Sequence, residues 1–118
     1  MIRKATERKS KQNVNMRGGE GTVTILAALE PEKGELLGKG RLFSTVILPP
    51  GASIGSHKHE GEMEAFLIVS GQGLYTDGDG SEAAVSPGDV TYTPPGQSHS
   101  VRNTGDTDLV LAALILFE

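Results

Sequence analysis

The sequence contains no cysteine and no tryptophan, and only five of its 118 residues are aromatic, three phenylalanines and two tyrosines. Without cysteine no disulfide can stabilise the chain, which is nevertheless long enough to bury a hydrophobic core. The longest apolar run, residues 109–117, is less than half of the about 20 residues that a membrane-spanning helix needs. The first ten residues lack the apolar segment of a signal peptide. We therefore expect a cytoplasmic domain with no membrane partner.

Glycine, in contrast, is abundant: 16 Gly among 118 residues is roughly double the average share of about 7%. The glycines show no three-residue period, which excludes a collagen triple helix. Because glycine and the 6 prolines favour tight turns, the composition indicates a small β-rich domain with many turns.

Charge is divided unevenly along the chain. Residues 1–20 carry six Lys or Arg and two Glu, a balance of +4, whereas residues 21–118 carry five Lys or Arg and thirteen Asp or Glu, a balance of −8; the total is −4. The basic segment contains no aromatic residue and precedes an acidic chain, so no nucleic-acid partner is expected. We expect residues 1–20 to form a basic N-terminal arm, solvated or partly ordered, and residues 21–118 to form a single domain.

Beyond residue 21, short apolar segments alternate with turn residues. Nine of them are predicted to be strands: 22–29, 42–48, 54–59, 62–70, 74–76, 82–85, 90–93, 98–102 and 109–117. The sequence Asp77-Gly78-Asp79-Gly80 predicts a hairpin turn between two of these strands. A parallel sheet would need crossover helices, which the chain does not offer. The pattern therefore predicts an all-β fold, an antiparallel sandwich or barrel.

The chain has three histidines, and two of them stand two residues apart. On a strand, His57 and His59 leave the same face, roughly 6–7 Å apart at the backbone. Glu64 on the following strand could bring a carboxylate beside them, and imidazole with carboxylate suits a first-row metal ion. Taken alone, the pattern also fits two solvent-facing histidines on an edge strand.

The surrounding residues form two longer patterns. The first is Gly51-(x5)-His57-x-His59-(x4)-Glu64-(x6)-Gly71, and the second is Gly88-(x5)-Pro94-x-Gly96-(x2)-His99-(x3)-Asn103. Sixteen residues, 72–87, separate them. The two patterns resemble the two sequence motifs of the cupin superfamily, with all ten prescribed positions filled in order.

This resemblance implies an antiparallel jelly-roll β-barrel with one divalent metal ion inside it, such as iron, manganese, nickel or zinc. It implies four metal ligands, which are His57, His59, Glu64 and His99. Three nitrogens and one oxygen would leave one or two coordination positions open for a ligand. The motif glycines and Asn103 would shape turns, and Pro94-x-Gly96 would set the strand that carries His99.

The carboxylate position of the first motif has three candidates. Glu60, Glu62 and Glu64 compete for the carboxylate position, and only Glu64 keeps the motif's distance to Gly71. Glu62 shares strand parity with Glu64, so it could contact a ligand, transfer a proton or be solvated at the start of the strand. No catalytic residue is assigned.

Strand parity also predicts which neighbouring side chains face the metal chamber. Phe66 has the parity of Glu64 and is expected to line the metal chamber, whereas Arg102 is expected to point away from it. Arg41 could face either way. Three further candidates for the chamber wall are Phe43, Tyr75 and Tyr92.

Two functions follow from the resemblance. The first is a metal-dependent enzyme acting on a small molecule, a carboxylate-bearing one among the candidates, by oxygenation, decarboxylation, isomerisation or β-elimination. The alternative is a non-catalytic module that binds metal and a small ligand. Segment 109–117 is apolar on both faces, so one face would line the core and the other a partner subunit. Since cupins commonly dimerise, we expect a homodimer.

Overall fold

The computed structural model describes all residues, 1–118, and it is built almost entirely of strands. The ten strands are β1 Ser10–Val14, β2 Thr22–Leu29, β3 Gly40–Leu48, β4 Ser53–Lys58, β5 Glu62–Ser70, β6 Gly73–Thr76, β7 Glu82–Val85, β8 Val90–Thr93, β9 Ser98–Asn103 and β10 Leu109–Phe117. Three short 3-10 helices are present, Ala5–Glu7, Met16–Gly18 and Pro31–Lys33. No helix is long and apolar enough to cross a membrane.

The strands form two antiparallel sheets. The larger sheet has the order β1-β2-β3-β10-β5-β8, and the smaller has the order β4-β9-β6-β7. The nine predicted segments correspond to β2–β10, and the hairpin turn predicted at Asp77–Gly80 joins β6 to β7, where Asp77 N–H donates to the Ser81 carbonyl. The predicted all-β jelly-roll class is confirmed.

The core lies between the sheets because alternate residues of each strand point inward. Along β10 buried and half-buried residues alternate over the whole apolar stretch. In β5 the same alternation buries Glu62, Glu64, Phe66 and Ile68. Two carboxylates therefore share the inward row of an apolar core, and a carboxylate in such a place requires charged or hydrogen-bonding partners.

The outer face of the larger sheet is apolar and half-open to solvent. Its exposed large residues are Phe43, Leu67, Val69, Val90 and Tyr92. The interpretation of Phe43 and Tyr92 as chamber walls was therefore wrong, because both side chains lie on the opposite face of the sheet from the core. Tyr75, in contrast, is buried.

Strand β1 was not predicted, because its sequence is polar and shows no alternation of apolar residues. Its side chains are mostly exposed, but its backbone pairs with β2 from Ser10↔Leu26 to Val14↔Thr22. The Arg8 guanidinium donates to the carbonyls of Ala27 and Leu26. Residues 1–20 are thus mostly exposed, and these backbone and side-chain hydrogen bonds hold them to the larger sheet.

Arg3 fastens the beginning of this segment to a turn far along the chain. Its guanidinium donates two 2.9 Å hydrogen bonds to the Glu35 carboxylate and a third to the Ala28 carbonyl. The two bonds from Arg3 to the carboxylate, together with a bond from the Glu30 N–H, lower the pKa of Glu35 to about 2.

This depressed pKa predicts how the arm responds to acid. A carboxylate whose pKa falls on folding stabilises the fold above its unfolded pKa of about 4.3, and that contribution is lost as the pH falls toward 2. The free energy of unfolding of the protein should therefore exceed that of a Glu35→Gln variant by a constant amount above pH ~5. This difference should shrink to zero near pH ~2. Urea unfolding of both proteins across this range tests it, and a difference independent of pH would contradict it.

Candidate metal centre

The two histidines of β4 reach the interior through an irregularity in strand pairing. Ile54 pairs with Val101 and His57 pairs with His99, so three residue steps along β4 correspond to two along β9. Such a β-bulge re-aims the side chains that follow it. Ile54 and His57, which strict alternation would put on opposite faces, therefore both face the barrel interior, with His59 next on the same side.

His99 and Glu64 approach from two other strands. His99 lies on β9 directly opposite His57, and Glu64 lies on β5 opposite Thr93 of β8. The turn between β8 and β9 is tied to the end of β4, because Gly96 N–H donates to the His59 carbonyl at 2.7 Å and His59 N–H donates to the Gln97 carbonyl at 3.0 Å. The motif turn Pro94-x-Gly96 thus fixes His59 and His99 relative to each other.

Asn103 at the end of β9 shapes a turn, as the resemblance implies. Its amide nitrogen donates to the carbonyls of Leu48 and Thr107, and its side-chain oxygen accepts from Gly105 N–H, each at 2.8 Å.

The four side chains bring one donor atom each to a common point. The Nε2 of His99 lies 3.0 Å from that of His59, 3.2 Å from that of His57 and 2.9 Å from Glu64 Oε1. Glu64 Oε1 is also 3.0 Å from His59 Nε2. His59, Glu64 and His99 are buried and His57 is half-buried. The sequence predicted this set of four, and the structure brings all of it together.

The other ring nitrogen of each histidine already has a partner. His57 Nδ1–H donates to the Gly55 carbonyl at 2.8 Å, and His59 Nδ1–H donates to Glu62 at 2.9 Å. His99 Nδ1 lies 2.8 Å from the Thr93 hydroxyl, which can accept its proton. These bonds leave the Nε2 atoms as bare lone pairs, as metal-ligating imidazoles require.

A metal ion fits this arrangement. Three lone pairs that face one another cannot form hydrogen bonds together, whereas a cation between them satisfies all three. Metal–nitrogen bonds of about 2.1 Å also set neighbouring donor atoms about 3 Å apart, close to the spacing observed. Burial lowers the pKa of His57, which favours the neutral ligand form. The buried cluster fits a metal site.

Glu62 has a different role from Glu64, although both are buried on β5. Its Oε1 accepts the His59 proton and a 2.7 Å bond from Arg41 Nη2, while its Oε2 accepts a 2.7 Å bond from Arg41 Nε. Of the alternatives left open by the sequence, solvation does not apply, because Glu62 is buried. Arg41 is the main cause that lowers the pKa of Glu62 to about 2, with His59 contributing. Glu60, in contrast, is exposed and pairs with Lys58.

Arg41 reaches Glu62 because of a second bulge. Ile115 of β10 pairs with Leu42, but the next residue, Leu116, pairs with Gly40. Arg41 is therefore the extra residue of β3, freed from the alternation that would point it outward. Glycine at position 40 permits the close approach, because a Cβ atom there would lie 2.4 Å from the Ile115 carbonyl oxygen.

A cavity of about 50 Å³ adjoins the ligands inside the barrel. Its apolar lining includes Ile54, Phe66 and Ile115, and its polar lining consists of His57, His59, Glu64, Arg17 and Arg41. Phe66 stacks on the His99 ring with centroids 5.2 Å apart, so it lines this chamber as predicted. Arg102 is exposed on β9 and does not line the chamber, as parity predicted.

Several known proteins are similar to this chain in sequence or fold. Residues 44–116 match the cupin domain family model. A Thermotoga maritima protein named oxalate-binding protein is 42% identical over 98% of this chain and 93% of its own. A T. maritima crystal structure described as a predicted oxalate decarboxylase has a TM-score of 0.93, with 42% identity over 100% of both chains.

A third relative shows the fold alone. It is a Silicibacter pomeroyi structure described as a cupin-superfamily sugar phosphate isomerase, with a TM-score of 0.78 and 20% identity over 100% of this chain and 76% of that one. The family model spans more than half of the present chain, and the first relative is well above 30% identical along nearly its whole length. The chain therefore belongs to the cupin domain family.

Proposed function

We propose that this cupin binds one divalent metal ion through His57, His59, Glu64 and His99 and uses it to hold a small carboxylate in the barrel. The convergence of three bare Nε2 atoms and one carboxylate oxygen beside a cavity carries the proposal. The name of the T. maritima relative, oxalate-binding protein, supports oxalate as the first ligand to test. Iron, manganese, nickel and zinc all suit this donor set.

Each part of the chamber has a distinct task in such binding. The bound ion would supply a Lewis acid with one or two open positions. Glu64 contributes the only negative charge of the ligand set, so a divalent ion would keep a net positive charge that attracts a carboxylate. Glu62 and Arg41 orient His59, while Phe66 and its apolar neighbours keep water away and strengthen the electrostatic attraction.

Binding is better supported than catalysis. Decarboxylation of oxalate to formate and carbon dioxide consumes a proton, and the only carboxyl group that lines the chamber is the ligand Glu64. Glu62 is held as a carboxylate by Arg41, and its pKa of about 2 makes it a poor acid at neutral pH. The second candidate, a decarboxylase, is favoured by the description of the T. maritima structure.

Calorimetry with oxalate tests both functions. Protein loaded with manganese should bind about one oxalate per ion, and chelator-treated protein should bind none. The same samples are then assayed for formate and carbon dioxide. Binding without these products supports the binding module, and their release supports the decarboxylase. A failure of the loaded protein to bind any small carboxylate would overturn the proposal.

We also propose that the apolar outer face of the larger sheet joins two copies of the chain. Leu67 and Val69 of β5 are about half-exposed there, next to Val90 and Tyr92 of β8. A contiguous apolar face of this kind is unusual on a monomer.

Light scattering tests this dimer directly. The expected mass is about twice the 12.4 kDa of one chain. A Leu67→Glu variant should return to the mass of a single chain, because dimerisation would bury its charge in the apolar face. Leu37→Glu makes the same change at an exposed turn and should leave the mass unchanged. A monomeric mass for the unmutated chain would contradict the proposal.

A further inference from the structure

A wider cavity of about 470 Å³ lies directly outside the metal chamber. The two cavities share Met16, Arg17, Arg41 and two apolar residues, so these residues form a threshold between them. The polar lining of the outer cavity consists of Lys11, Arg17, Arg41, Asn13 and Asn15, with no acidic residue. We call this outer cavity the basic vestibule.

The fold assembles the vestibule from residues that the sequence keeps apart. Lys11 pairs with Ile25 across β1 and β2, and alternation puts Asn13 on the same face as Lys11. Asn15 and Arg17 both adopt the left-handed conformation, with φ of 52° and 55°. Such backbone is disfavoured in residues other than glycine, and where it persists it is often at a functional site.

A close contact between glycines holds this left-handed segment over the barrel. A Cβ atom at Gly55 would lie 2.2 Å from the Arg17 carbonyl oxygen, and one at Gly19 would lie 2.2 Å from the Ser53 carbonyl oxygen. The backbone of residues 17–19 therefore packs directly on β4 at Gly55, which precedes His57 by two residues. This contact fixes the position of Arg17 beside the metal chamber.

The vestibule is unusual in its charge. Lys11 and Arg17 come from the basic residues 1–20 and Arg41 from the acidic remainder of the chain, and the three line one cavity with no acidic residue among its lining. Lys11 and Arg17 form no salt bridge, so their charges are uncompensated. Arg41 donates hydrogen bonds to Glu62 from Nε and Nη2, so the N–H groups of Nη1 remain available to another acceptor.

We infer that the basic vestibule is an anion-binding entrance that selects small dianions over monoanions. One anionic group enters the metal chamber, and the second remains at the threshold near Arg17 and Arg41. The placement of one anionic group in the metal chamber rests on the proposed function. The vestibule itself consists of residues that are not metal ligands. The chamber of about 50 Å³ admits only a group of a few atoms, so the ligand class is a short dicarboxylate.

Two ligands of the same shape but different charge test the selectivity. Oxalate carries two negative charges and oxamate carries one, so their dissociation constants can be compared by calorimetry on manganese-loaded protein. The Arg17→Gln variant should bind oxalate about threefold to tenfold more weakly, with a change of less than about twofold for oxamate. The matched variant Arg102→Gln removes the same charge from exposed β9 and should leave both constants unchanged.

The result separates this inference from the proposed function. If the metal-loaded protein binds oxalate but Arg17→Gln behaves as Arg102→Gln does, the inference of an anion-binding entrance is wrong. The proposed metal-dependent binding is then still supported. If the unmutated protein binds no metal or no oxalate, the proposed function fails, and the entrance is judged by a second measurement that does not need the metal.

That second measurement is an NMR titration of the metal-free full chain with oxalate. Amide signals of residues 11–17 and 41–42 should shift, whereas those of residues 100–102 should not, and sodium chloride at equal ionic strength should not reproduce the shifts. Loss of the shifts in Arg17→Gln supports the entrance independently of any metal. Absence of these shifts in the unmutated chain overturns it.

Discussion

In a His57→Ala/His99→Ala variant, we expect the metal content to fall from about one ion per chain to less than about 0.1. The change removes two of four donors, including His99, whose Nε2 lies 2.9–3.2 Å from the other three donor atoms. Only His59 and Glu64 would remain, and two ligands hold a divalent ion too weakly to survive dialysis. Elemental analysis of dialysed protein measures the loss.

The matched control for this variant is Lys58→Ala/Glu60→Ala. These two exposed residues flank His59, pair only with each other and make no contact with the chamber. The control should retain its metal, and circular dichroism should show the same strand content in all three proteins. Retention of stoichiometric metal by the histidine variant would refute the ligand assignment. Absence of bound metal from the unmutated protein after metal loading would also refute the ligand assignment.

The same analysis identifies the element, which bears on the chemistry. Iron has two accessible oxidation states and would favour an oxygenase. Manganese, nickel or zinc would favour binding or non-oxidative chemistry. The donor set does not separate these ions, so the identity of the metal has to come from the measurement.

The ligand set was predictable because it depends on short spacings. His57-x-His59 needs only the two-residue period of a strand, and the motif spacing to Gly71 distinguishes Glu64 from Glu60 and Glu62. Local alternation also predicted that Phe66 would line the chamber and that Arg102 would not. These inferences hold wherever the strand is regular.

Arg41 was unpredictable for the opposite reason. Its direction is set by a bulge in the pairing of β3 with β10, residues that lie more than seventy positions apart in the chain. Strand β1 was missed because its partner supplies the pairing that its own polar sequence does not signal. The positions of Arg41, Lys11 and Arg17, and with them the basic vestibule, therefore emerge only from the tertiary structure.

The second large effect is expected at Glu62, which touches no donor atom of the metal site. A Glu62→Gln variant should bind metal about 10-fold to 100-fold more weakly, the range found when a partner of a ligating histidine is lost. The carboxylate accepts the Nδ1 proton of His59, which fixes the tautomer and makes Nε2 a stronger donor. An amide in its place carries no charge and has only one accepting oxygen for His59 and Arg41 to share.

Competition with a chelator of known affinity measures the change, and two variants interpret it. Glu60→Gln removes the same charge two residues away on an exposed side chain and should alter the affinity by less than about twofold. Arg41→Gln should weaken metal binding less than Glu62→Gln does, because the carboxylate remains and is then shared with fewer donors.

The order of the three variants distinguishes the mechanisms. If net charge near the site determined affinity, Glu60→Gln would weaken binding as Glu62→Gln does, and Arg41→Gln would strengthen it substantially. If Glu62 served only to pack the start of β5, the uncharged but equally large glutamine would leave the affinity unchanged. A loss confined to Glu62→Gln, smaller in Arg41→Gln and absent in Glu60→Gln, requires the hydrogen bond from His59 to a carboxylate. Glu62 would then be established as a positioning residue that acts on the metal through His59.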